Sequence, residues 1–423
     1  MPLTGSDLPL PLKSTLPFGL AACPGARHFG LAGSIVLVTA LALLVVGCAS
    51  TPKQPALTLT GNALVDGPKA IEQGPPKDKV LWQYRTATAA LRTGDFELAR
   101  RMLDEALLNI GGIITNDKEA RKARGYFNRE ARKTFIGEPY ERVMAYIYRG
   151  MLYWQDGEPD NARACFRSAA LIDSDTENRE YAADWVLVDY LDGLATAKLG
   201  GDGSDAFKRA QASAKGVKLP AYRPDFNVLF FFEFGPGPTK FATGQYGEEL
   251  RFRVPDSPVV SAELNINGQR YPVAPTDDLG FQATTRGGRV MDHILGNKAV
   301  FKTTTGVVGD VALIGGLSTA AMSRDRTAQN VGLGIALAGL ASKVISAATT
   351  PEADTRAWET LPRYLSFASL PLAPGRHSAT VEFRDAAGRT VSNLTKQLAI
   401  DVPPGGKDKV ILISDQSSTP QTI

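Results

Sequence analysis

The apolar pattern of this 423-residue chain changes period near Lys218-Leu219-Pro220. Upstream, from Val80, apolar and small residues recur at helical spacing. The segment TAALRTGDFELARRMLDEALL carries Gly94, Phe96, Ala99, Leu103 and Ala106, and YIYRGMLYWQDGEPDNARACFRSAALIDSD carries Gly150, Tyr153, Gly157, Ala162, Phe166 and Ala169. Downstream, residues 227–234 form one continuous apolar run of the kind a buried strand needs, stopped by Gly235-Pro236-Gly237-Pro238. Alternating stretches follow, with an Asn267-Gly268 hairpin signal between two of them. The pattern predicts an α+β protein: a helical domain over residues 79–218, then an antiparallel β-sandwich-like domain over 225–414 and a disordered tail over 415–423.

The second helical segment has small and large residues where a tetratricopeptide (TPR) hairpin wants them. Gly150 lets two helices approach, Tyr153 fills the gap and Gly157 ends the first helix. Ala162, Phe166 and Ala169 then form the facing stripe. A third, weaker copy runs from Ala182 through Gly193 and Gly200 to Ala210. Between the repeats, NDKEARKARGYFNREARKTF reads as an inserted basic amphipathic helix. Its Lys and Arg are a solvated face, or a site for a partner or anionic lipid. The segment GEPYER puts Pro139 at a helix start with acids in the first turn. That is capping chemistry; the functional alternative makes Tyr140, Glu141, Arg142 and Tyr146 a partner-binding surface.

A Gly/Ala-rich helical hairpin, residues 306–322 and 330–348, interrupts the β-rich region within an insertion of about 285–350. Small residues such as Gly332, Gly334 and Gly339 allow close helix packing. The hairpin buries its face against its own domain or a second copy of the chain, making a homo-oligomer, or it touches a membrane. Asp310 and Lys343 interrupt the apolar runs, each shorter than the ~20 residues of a spanning helix.

Residues 31–46 are an uncharged apolar run preceded by Arg27 and His28, the design of a secretory signal. Val45-Val46-Gly47-Cys48 follows. It resembles the lipobox of bacterial lipoproteins, in which the Cys thiol takes a diacylglyceryl group before the signal is cut off. Residues 1–47 are then a signal peptide with a long leader. Residues 48–78, rich in Pro, Gly, Thr and Lys, are a lipidated flexible tether. Ala49 after Cys48, by resemblance to the lipoprotein sorting rule, implies the outer membrane, with the body facing the periplasm and acyl chains such as palmitate as anchor.

Net charge is only +3, which argues against a nucleic-acid binder. With Cys48 lipidated and Cys23 upstream of it, Cys165 has no partner for an internal disulfide. His28, His293 and His377 are scattered, so no metal site and no cofactor is expected. No G-x-S-x-G elbow, Walker loop or paired Cys/His arrangement points to an enzyme.

Together the lipobox, GEPYER, FEFGPGPTK, and the later ADTRAWETLP and LPLAPGRH blocks resemble a family of largely uncharacterised TPR-containing lipoproteins of Gram-negative bacteria. TPR modules present surfaces to protein partners. The resemblance implies a lipid-anchored, non-enzymatic scaffold for envelope proteins; the alternative is a self-assembling secretion or pore component that uses the Gly/Ala hairpin.

Overall fold

Two pairs of helices are closed by the same glycine device. Helices α1 (Ala63–Gln73), α2 (Lys79–Thr93) and α3 (Phe96–Thr115) come first. They are followed by α4 (Pro139–Asp156), α5 (Pro159–Asp173), α6 (Val186–Lys198) and α7 (Ser204–Ser213). Gly94, between α2 and α3, has φ +82°, and Gly157, between α4 and α5, has φ +79°. Only glycine takes that left-handed geometry without strain. In each pair the residue after the glycine donates back five places, Asp95 N to Ala90 O and Glu158 N to Tyr153 O, so the chain reverses within a few residues. This computed structural model describes residues 57–115, 134–174, 181–214, 217, 219, 220, 222, 223, 225–243, 249–286, 354–405, 407–417, 421 and 422. The signal region, Cys48, the basic segment 116–133 and Gly332, Gly334 and Gly339 lie outside the described residues.

The α4–α5 pair shows what Gly150 does. A Cβ there would lie 2.6 Å from Cε1 of Phe166, so the Phe166 ring occupies the space a side chain would take. Ala162, Phe166 and Ala169 are fully buried around it. Tyr153 is half-buried, with the Arg149 guanidinium 3.4 Å over its ring.

The strands form open sheets. One has the order β11-β10-β1-β7-β6, from β1 (Val228–Pro236), β6 (Asp277–Asp278), β7 (Pro362–Leu370), β10 (Lys409–Ser414) and β11 (Gln421–Thr422). A second has the order β5-β4-β8-β9, from β4 (Ser261–Ile266), β5 (Gln269–Val273), β8 (Gly375–Arg384) and β9 (Lys396–Val402). β2 (Thr239–Thr243) and β3 (Glu249–Arg253) make a separate ribbon, and α8 (Leu279–Arg286) follows β6.

Alternation along β1 explains why it reads as one apolar run. Val228, Phe230, Phe232 and Phe234 pack against residues of the four-stranded sheet, including Leu264, Val381, Phe383 and Ile400. Leu229 and Phe231 point the other way, into the cluster that holds Tyr84, Tyr148 and Leu191 from the helices. The five-stranded sheet is thus covered on both faces, helices on one side and the second sheet on the other. The apolar core crosses from the helical to the β-rich region, and the described residues from Leu57 onward form one compact unit.

Three expectations change. The sheet is not wholly antiparallel: β1 pairs with β7 antiparallel but with β10 parallel, because β10 reaches β1 by crossing over from the other sheet. The spacer does not extend to residue 78. Asp66 accepts from Thr60 N, Thr60 Oγ1 and Gly61 N, Asn62 caps α1 through Leu64 N, and Gly67 lies against Thr86. The tail is not without structure either, since Gln421 and Thr422 pair with Leu412 and Ile411.

Gly150→Ala should destabilise the protein by about 1–3 kcal/mol through overpacking. Adding Phe166→Leu, which withdraws the ring, should recover part of that loss. Urea unfolding of the three variants checks both, and a neutral Gly150→Ala would refute the close approach.

Candidate functional site

The GEPYER segment builds the start of α4. Pro139 takes the first helical position, and the Glu141 carboxylate reaches back to accept from Glu138 N at 2.6 Å. Glu141 has no exposed surface, and its charge is met by two other segments. Lys240 Nζ, from β2, donates to Oε2 at 2.7 Å, and the backbone N–H of Trp358 donates to Oε1 at 2.6 Å. Lys240 also donates to Arg356 O at 3.0 Å and lies 3.8 Å from the Glu138 carboxylate. Sequence positions 138–141, 240 and 356–358 therefore meet at one buried point: the GEPYER, FEFGPGPTK and ADTRAWETLP blocks are neighbours in space.

Residues 354–359 form a strap across the helices. Arg356 is gripped by Asp354 at 2.7 Å and by Asp78 at 2.7 Å, and donates to Lys77 O at 3.1 Å. The Trp358 ring stacks on Tyr84 with centroids 4.2 Å apart, and its Nε1 donates to Thr88 Oγ1 at 2.8 Å. Arg85 binds the Glu359 carboxylate at 2.7 Å. Phe135 has Lys240 and Arg356 over its ring at 5.4 and 5.5 Å.

Burial is the largest influence on these groups. It raises the Glu138 carboxyl, with Glu141 adding to the rise and Lys240 opposing it. Burial pulls Lys240 down, yet the attraction of Glu141 and Glu138 outweighs it and leaves the ammonium raised. Tyr84 and Tyr140 are pushed well above the usual phenol range by burial.

Further polar contacts tie the helices to the central sheet. Glu233, on the helix-facing side of β1, accepts from Arg92 Nε at 2.6 Å and from Tyr148 OH at 2.5 Å. Asp408 accepts from Trp154 Nε1 at 3.0 Å and Lys198 Nζ at 2.8 Å. Asp277 accepts from Val186 N and Leu187 N, each at 2.9 Å, at the start of α6.

The structure places Tyr140 and Glu141 inside, so neither faces a partner; Arg142 and Tyr146 are half-buried. The reason is the seam itself: Lys240 from β2 and the Trp358 amide of the strap close over the Glu141 carboxylate at the start of α4. Burial pushes the Cys165 thiol up to about 12, as for an inert core cysteine. Lys240, Arg356, Trp358 and Glu233 were not singled out as site residues by sequence. Only Glu233, one charge within an apolar strand, carried a signal.

An open groove of about 350 Å³ lies among α5, α6 and α7, lined by Arg167, Asp192, Asp202, Asp205 and Arg209 with small residues between. Asp192 accepts from Arg167 Nε at 2.9 Å, and Arg209 Nε donates to Asp189 at 3.0 Å. Among the described residues no group of three His, Cys, Asp or Glu has the placement to hold a metal ion.

Among known proteins, no family, curated protein or solved structure matches this chain.

Lys240→Met leaves Glu141 without its cation and should cost about 3–5 kcal/mol. Lys240→Met with Glu141→Gln should cost less than the two changes summed, by at least about 1 kcal/mol. Additive losses in denaturant unfolding would show that the two groups are not coupled.

Asp277 makes stability depend on pH. Burial pushes its carboxyl up to about 7, against the two amide donors that lower it. The folded chain then holds a proton the unfolded chain has lost, so stability falls as pH rises from about 4 to about 7 and levels off above. Asp277→Asn should flatten part of that slope. Unfolding midpoints at about pH 5 and pH 7 should lie closer together in the variant than in the parent, and equal spacing would refute the assignment.

Proposed function

We propose that this chain is a lipid-anchored scaffold of the outer membrane, facing the periplasm and binding envelope proteins through a TPR-like helical layer. The observation that carries the reading is Val45-Val46-Gly47-Cys48 behind an uncharged apolar run. An apolar residue at −3, a small one at −1 and a Cys suit thiol lipidation, and acyl chains supply the anchor. Among the described residues, no helix is long and apolar enough to cross a membrane.

The helical layer supports the binding half of the reading. Helix pairs closed at Gly94 and Gly157, with Phe166 seated on Gly150, are the packing a TPR-like module uses. The sheet takes one side of that layer and leaves the α5–α7 groove open. The two sheets facing each other across the Phe230–Val381 cluster form a sandwich-like base on which the layer packs.

Cys48→Ser should abolish incorporation of radiolabelled palmitate and leave the uncleaved precursor, because only a thiol accepts the diacylglyceryl group. A variant that is processed normally and still fractionates with the outer membrane would sink the reading.

A further inference from the structure

The four-stranded sheet ends on one side at β9, and among the described residues no strand pairs with its outer edge. Open edges are usually guarded, because a row of unpaired N–H and C=O groups is a template for another chain. The other edge strands carry such guards. β6 and β11, at the two ends of the five-stranded sheet, are two residues long. β5, at the far end of the four-stranded sheet, carries Pro272, and the β2–β3 ribbon carries Lys240, Glu249, Arg251 and Arg253. β9 is seven residues long and has no proline. Its charges stand near its two ends, at Lys396 and Asp401, and the buried Lys396 ammonium is taken by Ser417 O.

The register shows which backbone groups are open. The carbonyl of Arg384 accepts from Val260 N on the β4 side, and that of Phe383 accepts from Val391 N on the opposite side. Successive residues of a strand turn their N–H and C=O to alternate sides, so Val381, Ala379 and His377 face β9. Their partners Lys396, Leu398 and Ile400 face back. Gln397, Ala399 and Asp401 are left with N–H and C=O outward, and all three residues are exposed.

Those three positions are symmetric about Ala399. An antiparallel copy of β9 centred there puts Ala399 opposite its own counterpart and Gln397 opposite the copy's Asp401, so every open N–H meets a C=O. On the outer face the central pair is small and no like charges are opposed. Gln397 already accepts from Thr380 Oγ1 at 2.9 Å, and its amide N–H group can donate to the copy's Asp401. On the inner face Leu398 meets the copy's Ile400, which continues the apolar side of the sheet.

We propose that β9 pairs with β9 of a second copy of this chain, antiparallel through Ala399, so that two four-stranded sheets become one. Each copy offers the same edge, so the contact closes at a dimer. It does not depend on the lipid anchor.

Disulfide trapping of the purified full-length chain tests both the partner and the register. Opposed residues of a hydrogen-bonded antiparallel pair have Cα atoms about 5.5 Å apart, within the reach of a disulfide. Ala399→Cys should therefore give a covalent dimer on mild oxidation, with the parent chain as background for the natural cysteines. Gln397→Cys and Asp401→Cys should each trap little alone and give a dimer when mixed. Ala399→Pro removes an outward N–H from each copy and no bond to β8, so it should weaken dimerisation about tenfold in sedimentation while the unfolding midpoint changes little. An Ala399→Cys chain that cross-links no better than the parent overturns the proposal, as does equal trapping of all three single cysteine variants.

Discussion

A carboxylate with no exposed surface must find its compensation inside the fold, and Glu141 finds it in a lysine from β2 and in two backbone amides. Those donors come from chain positions far apart, so the contact fixes more than its own charge. It sets the start of α4, the position of the β2–β3 ribbon and the path by which the chain returns to β7. Desolvating both charges is expensive, and attraction in the interior offsets it only when the geometry is good and the remaining hydrogen-bonding groups are satisfied. Here Lys240 meets a carboxylate and a carbonyl, and Glu141 accepts from three donors. Such a contact adds less to net stability than to uniqueness: a shifted register of the strap would leave an unpaired charge within the core.

The central sheet makes the same demand on apolar surface. With helices on one face and a second sheet on the other, every position of β1 must suit one of two interiors. Phe230 and Phe232 serve the sheet side, and Phe231 serves the helices. Glu233 departs from this rule on the helix side, and Arg92 and Tyr148 donate to its carboxylate there. Helical and β-rich regions are therefore two faces of one core and not two bodies joined by a linker.

Local rules made part of this legible in the sequence. Alternating strands, the Asn267-Gly268 turn, the apolar run of β1 and helical spacing between Val80 and Ala210 each depend on neighbours a few residues away, and together they give an α+β chain. The rest depends on partners far apart in the chain, such as Tyr148 with Glu233, 85 residues away, or Arg85 with Glu359, 274 away, for which no local signal exists. GEPYER was readable as a helix cap, but not as one third of a buried seam. The start of α1 is hidden for another reason: Asn62 is a good N-cap, yet the Pro and Gly around it give that stretch the composition of a spacer.

The partners of β1 lie late in the chain. Its antiparallel neighbour begins at Pro362 and its parallel one at Lys409, against its own start at Val228. A ribosome delivers the chain from the N-terminus, so the helices can pair while β1 is still without a sheet. Through that interval Phe230, Phe232 and Phe234 stand as an uncovered apolar edge strand, the most adhesive state a segment can occupy. Until its first neighbour begins at Pro362, more than a hundred residues after β1 ends, the chain carries a strand that can pair with the wrong partner.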